Sequence, residues 1–241
     1  MYLIQQTLFP LIDNMEDPSV QYTEKKENDI FGLNYCKNAI LAGKYGIPKI
    51  KSYYGDIPVK FITISEIGNC NDKTLGIAGF EEDYILEKYW RNIDKYVKKI
   101  TEYSCMSELD FSLKIGMPLS VQIANSYRKH CMSFHLQELG TNIMPCMSWS
   151  TTNTYEFCFD GYNRGGAVMV STIGTLRDER SQFYFKNGFM EMLKNISPDA
   201  VVLYGDVSEK VTSWMPKQLD IHIVEHKRFK RARSHGKQRN F

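Results

Sequence analysis

Four apolar runs in the second half of the chain each end in a polar or glycine-bearing step. They are Ser104-Cys-Met-Ser-Glu-Leu-Asp110, Asn142-Ile-Met-Pro-Cys-Met-Ser-Trp149, Ala167-Val-Met-Val-Ser-Thr172 and Ala200-Val-Val-Leu-Tyr-Gly205. Helix-like amphipathic stretches separate the first pair and the last pair. Strands that alternate with helices imply parallel pairing, because a parallel neighbour needs a crossover and a helix is the usual one. In open parallel sheets and in barrels, chemistry gathers where the strands end at their carboxyl edge. The pattern therefore predicts where a site sits before it says what the site does.

The remaining pattern fills in around these runs. Ile57–Ser65 alternates and is rich in β-branched residues, which predicts a strand. Asn34–Ala42 reads as a short helix ended by Gly43. Residues 81–100 carry Tyr84, Ile85, Tyr89, Ile93, Tyr96, Val97 and Ile100 at helical spacing, as one helix or two broken near Asn92. A helix is predicted over 119–139, with Ile123, Tyr127, Cys131, Phe134 and Leu139 as its apolar stripe and Gly140 as its stop. Tyr155–Gly161 alternates aromatics up to an Asp-Gly step, which suggests an extra strand or hairpin arm. Asp178-Glu-Arg180 starts a helix running to about Ile196, its acids placed to favour the helix dipole. A short helix near 208–214 and a strand over 219–225 complete the body. About six main strands result. The expected fold is α/β: a mostly parallel sheet with crossover helices, as an incomplete barrel or an open α/β sandwich. The expected parts are an irregular or helical segment packed on the core (1–56), the α/β core (57–225) and a basic C-terminal tail (226–241).

Composition refines this picture in two places. The chain has 241 residues, 43% hydrophobic and 24% charged, with a net charge of +2. Residues 225–241 alone hold seven Lys/Arg against one acid, so the rest of the chain is net −4. A mildly acidic body with a basic tail suits nucleic acid as a partner. Within the tail, Phe229 stands between Lys227-Arg228 and Lys230-Arg231, with Arg233 beyond. Cations interleaved with an aromatic fit backbone contact plus one stacked base; a solubilising end is the plainer reading. No apolar run approaches the roughly 18 residues of a membrane span. The start has no basic n-region and no small-residue cleavage site, so a cytoplasmic location is expected.

Six cysteines stand at 36, 70, 105, 131, 146 and 158, with no C-x-x-C pair. They read as small buried hydrophobes. His130 and His135 are separated by about 140° on a helix, so they do not share a face and no metal site is expected. No phosphate-binding or dinucleotide-binding glycine motif and no G-x-S-x-G elbow occurs. No cofactor is indicated.

Candidate chemistry comes from the strand ends. Asp110 is placed for general-base or nucleophilic work, or caps its loop as an Asx turn. Asn125 and Arg128 share a helix face and offer an amide and a planar guanidinium, or form a solvated face. Trp149 can stack on a ring, or pack in the core. Ser171 and Thr172, ahead of Gly174, can offer hydroxyls and amides to an anion. Asp160-Gly161 and Arg164-Gly-Gly166 read as turns or a mobile lid.

Phe80-Glu-Glu-Asp-Tyr84 with Trp90, Asp110-Phe-Ser112, Met117-Pro118, Asn125-Ser-Tyr-Arg128, Gln137, Gly140, Pro145, Trp149, Phe157-Cys-Phe-Asp-Gly161, Ser171-Thr172, Gly174, Phe189 and Tyr204-Gly205 occur in an order that resembles the bacterial and phage domain of unknown function family 4417. The resemblance covers somewhat more than half the chain. It implies a phage or mobile-element setting in a bacterial host cell and brings no established activity. The expected function is an enzyme acting on nucleic acid or nucleotides at the carboxyl ends of parallel strands. Asp110 would transfer protons, Asn125 and Arg128 would orient the substrate, Trp149 would stack, and Ser171 and Thr172 would hold an anion. A non-catalytic nucleic-acid-binding or inhibitor protein, and a protein that binds a nucleotide signal, are the alternatives.

Overall fold

The computed structural model describes residues 29–226; the charged stretch before Asp29 and the basic tail from Lys227 lie outside the described residues. A single helical turn, α1 (Leu33–Cys36), precedes a small antiparallel hairpin of β1 (Leu41–Ala42) and β2 (Ile47–Pro48). The expected helix over 34–42 is thus cut to one turn. Then come β3 (Phe61–Thr63), β4 (Gly76–Ala78), α2 (Asp83–Asn92), α3 (Val97–Ile100) and β5 (Cys105–Ser107). They are followed by α4 (Leu119–Glu138), β6 (Ile143–Met144) and β7 (Cys146–Met147). The chain closes with β8 (Ala167–Ser171), α5 (Glu179–Ile196), β9 (Ala200–Tyr204), α6 (Glu209–Thr212) and β10 (Asp220–Val224).

The eight strands from β3 to β10 form two parallel four-stranded sheets in chain order, β3-β4-β5-β6 and β7-β8-β9-β10. Only Pro145 separates β6 from β7, so the sheets run on from one another. Within each sheet every strand is laid beside its predecessor, and the chain never reverses across the sheet. Crossovers of one hand then put all the helices on one face. The other face must be buried by curling the sheet on itself.

The side chains follow that requirement. Ile62, Ile77, Met106, Ile143, Val168, Val170, Val201 and Leu203 point outward into two clusters built with the helices. Phe61, Ala78, Cys105, Met144, Ala167, Met169, Ala200, Val202 and Val224 point inward into a third. This inner cluster joins the first strand to the last, although β3 and β10 are not paired. Phe80, just past β4, stacks on Tyr204 of β9 with ring centroids 4.9 Å apart. In a flat sheet those strands would lie four spacings, or roughly 19 Å, apart. The architecture is an open α/β barrel, with Ala78, Cys105, Ala167 and Ala200 among the residues lining its interior.

The amino-end rim is covered. Tyr53 bridges Ala167 at the start of β8 and is buried in the inner cluster. The Lys51 main chain is held on both sides by the Gln137 amide at the end of α4. The carboxyl-end rim carries the loops that follow each strand.

Two further departures from the expected elements occur. Residues 155–161 form turns after a 3-10 turn at Thr152–Thr154, and no strand runs there. Phe157, Cys158 and Phe159 pack into the outer cluster, which accounts for their apolar pattern. A strand at Gly76–Ala78, too short and glycine-rich to register as a pattern, was not expected. Gly79 follows it, donating its N–H to Ser107 Oγ at 2.8 Å. A Cβ there would lie 2.1 Å from the Glu108 carbonyl oxygen, a main-chain atom that cannot step aside. Gly79→Ala should therefore lose about 3 kcal/mol or more by urea unfolding. Gly68→Ala, where a Cβ meets nothing within 4 Å, should stay within about 0.5 kcal/mol of the parent.

Candidate buried charge site at the strand carboxyl ends

The seam between the two sheets lies under α4. Pro145 has no N–H to give to a ladder. β6 pairs with β5 only as far as Ser107–Met144, and β7 then pairs with β8. Side chains complete the hydrogen bonding that the backbone abandons. Glu108 Oε2 accepts from the Cys146 N–H at 2.8 Å. Lys129 of α4 donates to the Cys146 carbonyl at 2.9 Å and to Ser148 Oγ at 3.0 Å. Tyr162 Oη lies 2.6 Å from Glu108 Oε2 and 3.1 Å from that same carbonyl, and its proton goes to the carboxylate at the shorter distance. His130 sits beside this group, its ring 4.3 Å from that of Tyr162, with Nδ1 2.8 Å from the Pro48 carbonyl.

Glu108, Lys129 and His130 are almost wholly buried. An unpaired ammonium in such a place would be prohibitive. Burial alone would push the Lys129 amine down, but the Glu108 and Asp110 carboxylates reverse this and hold it above the usual lysine value. Lys129 is therefore a cation facing two acids. Asp110 is the one in surplus. Burial raises its carboxyl, Glu108 and Asp83 add to the rise, and Lys129 and Ser148 oppose it. Burial also pushes His130 down to about 4, so its ring is neutral near pH 7.

Asp110 is partly exposed at the rim, yet its Oδ1 is buried with no hydrogen-bond partner among the described residues. The same holds for Glu108 Oε1 and for Ser126 Oγ, three residues before Lys129 on the same helix face. Such orphaned atoms mark a place for water or for a ligand group. Chemically, a surplus carboxyl beside a fixed ammonium and a hydroxyl can hold and release a proton.

The other expected site residues are dispersed. Asn125 Nδ2 donates to the Ser112 carbonyl at 2.9 Å and fixes the loop after Asp110. Arg128 forms an ion pair with Glu87 and lies over the rings of Trp90, at 4.8 Å, and Phe111, at 4.2 Å. Trp149 donates its indole N–H to the Tyr184 carbonyl and packs on Phe159 and Phe185, against the bare backbone of Gly188. Ser171 Oγ accepts from the Ile173 N–H. Thr172 Oγ1 lies 3.0 Å from the Asp206 carbonyl and ties the β8 end to the β9 end. A shallow cleft of about 320 Å³ opens there, lined by Gly205, Asp206, Ser208 and Glu225. Lys227, Arg228, Lys230, Arg231 and Arg233 lie outside the described residues.

Sequence reasoning missed Glu108, Lys129, Tyr162 and Ser148's role. Of the expected stripe of α4, Cys131 is buried and Ile123, Tyr127 and Phe134 pack on the core, but Leu139 is 46% exposed. A second stripe was missed: Gln122, Asn125, Ser126, Lys129 and Ser133 are also buried. The spacing 122-125-126-129-133 is itself a helical stripe, but a polar one, and apolar periodicity cannot detect it. Among the described residues no group of three or more His, Cys, Asp or Glu could hold a metal ion, and no helix is long and apolar enough to cross a membrane.

These features define a class: an open, singly wound parallel α/β barrel with a buried lysine–carboxylate group at its carboxyl-end rim. The chain belongs to the family Domain of unknown function (DUF4417), whose model matches residues 39–226. It is similar to the "Gene 1 protein" of Mycobacterium phage L5, 29% identical over 128 residues, which are 53% of this chain and 56% of that one. It is also similar to the "Gene 1 protein" of Mycobacterium phage D29, 29% identical over 126 residues, 52% and 47% of the two chains. The chain thus spans about half the length of the curated relatives it matches. No solved structure matches it.

Removing Lys129 strands the buried Glu108 and the half-buried Asp110. Lys129→Met should cost about 3–5 kcal/mol in chemical denaturation. For His130 the folded value lies below the unfolded one, so its contribution is complete above about pH 6.5 and is lost as pH falls toward 4. That loss should be on the order of 2 kcal/mol between pH 6.5 and pH 5. His130→Asn, which can still donate to Pro48, should flatten the slope of Tm against pH in that window; an unaltered slope would refute the assignment.

Proposed function

We propose that this phage-type protein is an enzyme acting on a nucleotide or nucleic acid, with Asp110 as its proton-transferring group. The observation that carries the reading is the charge imbalance at the rim. One buried ammonium faces two carboxyls, and the surplus one is Asp110, partly exposed where substrate can arrive. A raised carboxyl near a fixed cation is a common arrangement for acid–base work. Ser148, which accepts from Lys129, hydrogen-bonds Asp110, while Glu108 and Tyr162 share the Cys146 peptide with Lys129. The basic residues from Lys227 to Arg233 would hold a polyanionic substrate near the rim, since β10 delivers the chain there.

A second reading, a non-catalytic nucleic-acid-binding protein, draws on the dispersal of the other polar residues. Arg128 and Trp149 are both spent on internal contacts, which leaves polymer contact to the tail. Deleting residues 226–241 would then abolish every activity, whereas an enzyme would keep turnover on a small nucleotide.

Asp110→Asn separates chemistry from folding. It removes the surplus acid and leaves Lys129 and Glu108 matched one to one. The folded-state value of Asp110 is raised, so its ionised form opposes folding at neutral pH. The variant should match or exceed the parent in Tm at pH 7. Its turnover on a panel of nucleotides and single-stranded oligonucleotides should fall by about 10³ or more, with binding retained. Undiminished turnover would sink the role of Asp110.

A further inference from the structure

Cys36 of α1 and Cys131 of α4 are far apart in sequence yet share two polar neighbours. Cys36 Sγ lies 3.2 Å from Tyr127 Oη and 3.7 Å from the Gly32 carbonyl oxygen. Cys131 Sγ lies 4.0 Å from the same hydroxyl and 2.9 Å from the same carbonyl. Two sulfurs held on one pair of oxygens are themselves neighbours. The other four cysteines have different surroundings: Cys70 turns to the Asp72 carbonyl at the surface, and Cys105, Cys146 and Cys158 are buried, their thiols raised chiefly by burial.

The two thiols are unequal. A hydrogen bond from Cys131, set against burial, draws the Cys36 thiol down to about 7, whereas burial pushes Cys131 up. Near neutral pH Cys36 is thus the nucleophile and Cys131 the resolving partner. Access is also asymmetric. Cys131 is fully enclosed, while Cys36 sits on a one-turn helix whose first N–H groups are capped by the Asp29 carboxylate, at 2.9 Å to Leu33 and 2.6 Å to Asn34. A single turn has little stability of its own and opens locally at small cost.

We propose that Cys36 and Cys131 are a thiol–disulfide modification site, oxidised reversibly by low-molecular-weight disulfides. The Cys36 thiolate attacks one sulfur of the small disulfide and expels one thiolate, leaving a mixed disulfide on Cys36. Cys131 gives its proton to the expelled thiolate and attacks the Cys36 sulfur, and the second small thiolate leaves and takes a proton from water. Two protein thiols and one small disulfide become one protein disulfide and two small thiols. The bond pins α1 to the helix that carries Lys129 two residues away. It closes a loop of about 95 residues and so stabilises the fold against unfolding. The site is independent of any reaction at Asp110, because none of its readouts uses turnover.

The test treats the full chain with oxidised glutathione at pH 7.5, then blocks the remaining thiols and maps peptides without reduction. Wild type should lose two of its six thiols and yield one cross-linked species joining the Cys36 and Cys131 peptides. Its Tm should rise by roughly 5–10 °C, reversed by dithiothreitol. Cys131→Ser should instead trap glutathione on Cys36, and Cys36→Ser should take up none at Cys131. A wild-type protein that keeps all six thiols, holds glutathione on Cys36 without forming the cross-link, or links any other pair overturns the proposal. The wild-type map decides the matter even if a serine variant fails to fold.

Discussion

The ammonium of Lys129 sits where two sheets meet, and the rest of the molecule is arranged around the need to keep it satisfied. Pro145 stands between β6, which pairs with β5, and β7, which pairs with β8, and a seam of that kind leaves main-chain groups that need partners. Lys129 takes the Cys146 carbonyl, Glu108 takes the Cys146 N–H, and Tyr162 closes the ring of contacts. Each partner is acceptable in the interior only because the others are there. Burying charges is not by itself a stabilising device. Here the charged side chains take the Cys146 main-chain groups where Pro145 ends the β5–β6 ladder, so their value lies in the seam they make possible.

That seam shapes the fold above and below it. The strands follow one another without reversal, and the sheet must curl to bury its helix-free face. The stacking of Phe80 on Tyr204 and the inner cluster from Phe61 to Val224 are the outcome. With Tyr53 set against the amino-end rim, the carboxyl-end rim is left to the loops. Asp110, Ser148 and the orphaned carboxylate oxygens lie there, at the junction of a buried charge and the solvent. Charge balance makes Asp110 distinctive, since it is a second acid facing one cation and its Oδ1 has no hydrogen-bond partner among the described residues.

The strand-rich runs and the two long helices were legible because they are periodic. α4 was expected over 119–139 and runs from Leu119 to Glu138, and α5 begins after its Asp178 cap as its acids indicated. The turns at 155–161 misled because Phe157 and Phe159 pack as core from irregular backbone. β4 escaped notice because Gly76-Ile-Ala78 contributes one outward side chain and little else. Strand-end position drew attention to Asp110. It could not separate Asp110 from Arg128 or Trp149, whose commitments to Glu87 and to the Tyr184 carbonyl are made by residues distant in sequence.

The sequence alone determined the α/β class, the parallel pairing, the family and the rim on which to look. These follow from local periodicity and from the fact that parallel neighbours need crossovers. Tertiary structure decided which polar residues are buried together. Glu108, Lys129 and Tyr162 carry no motif and keep no fixed spacing. They acquire meaning because a helix crosses a broken strand pair, and because a charge removed from water must find its partners in space.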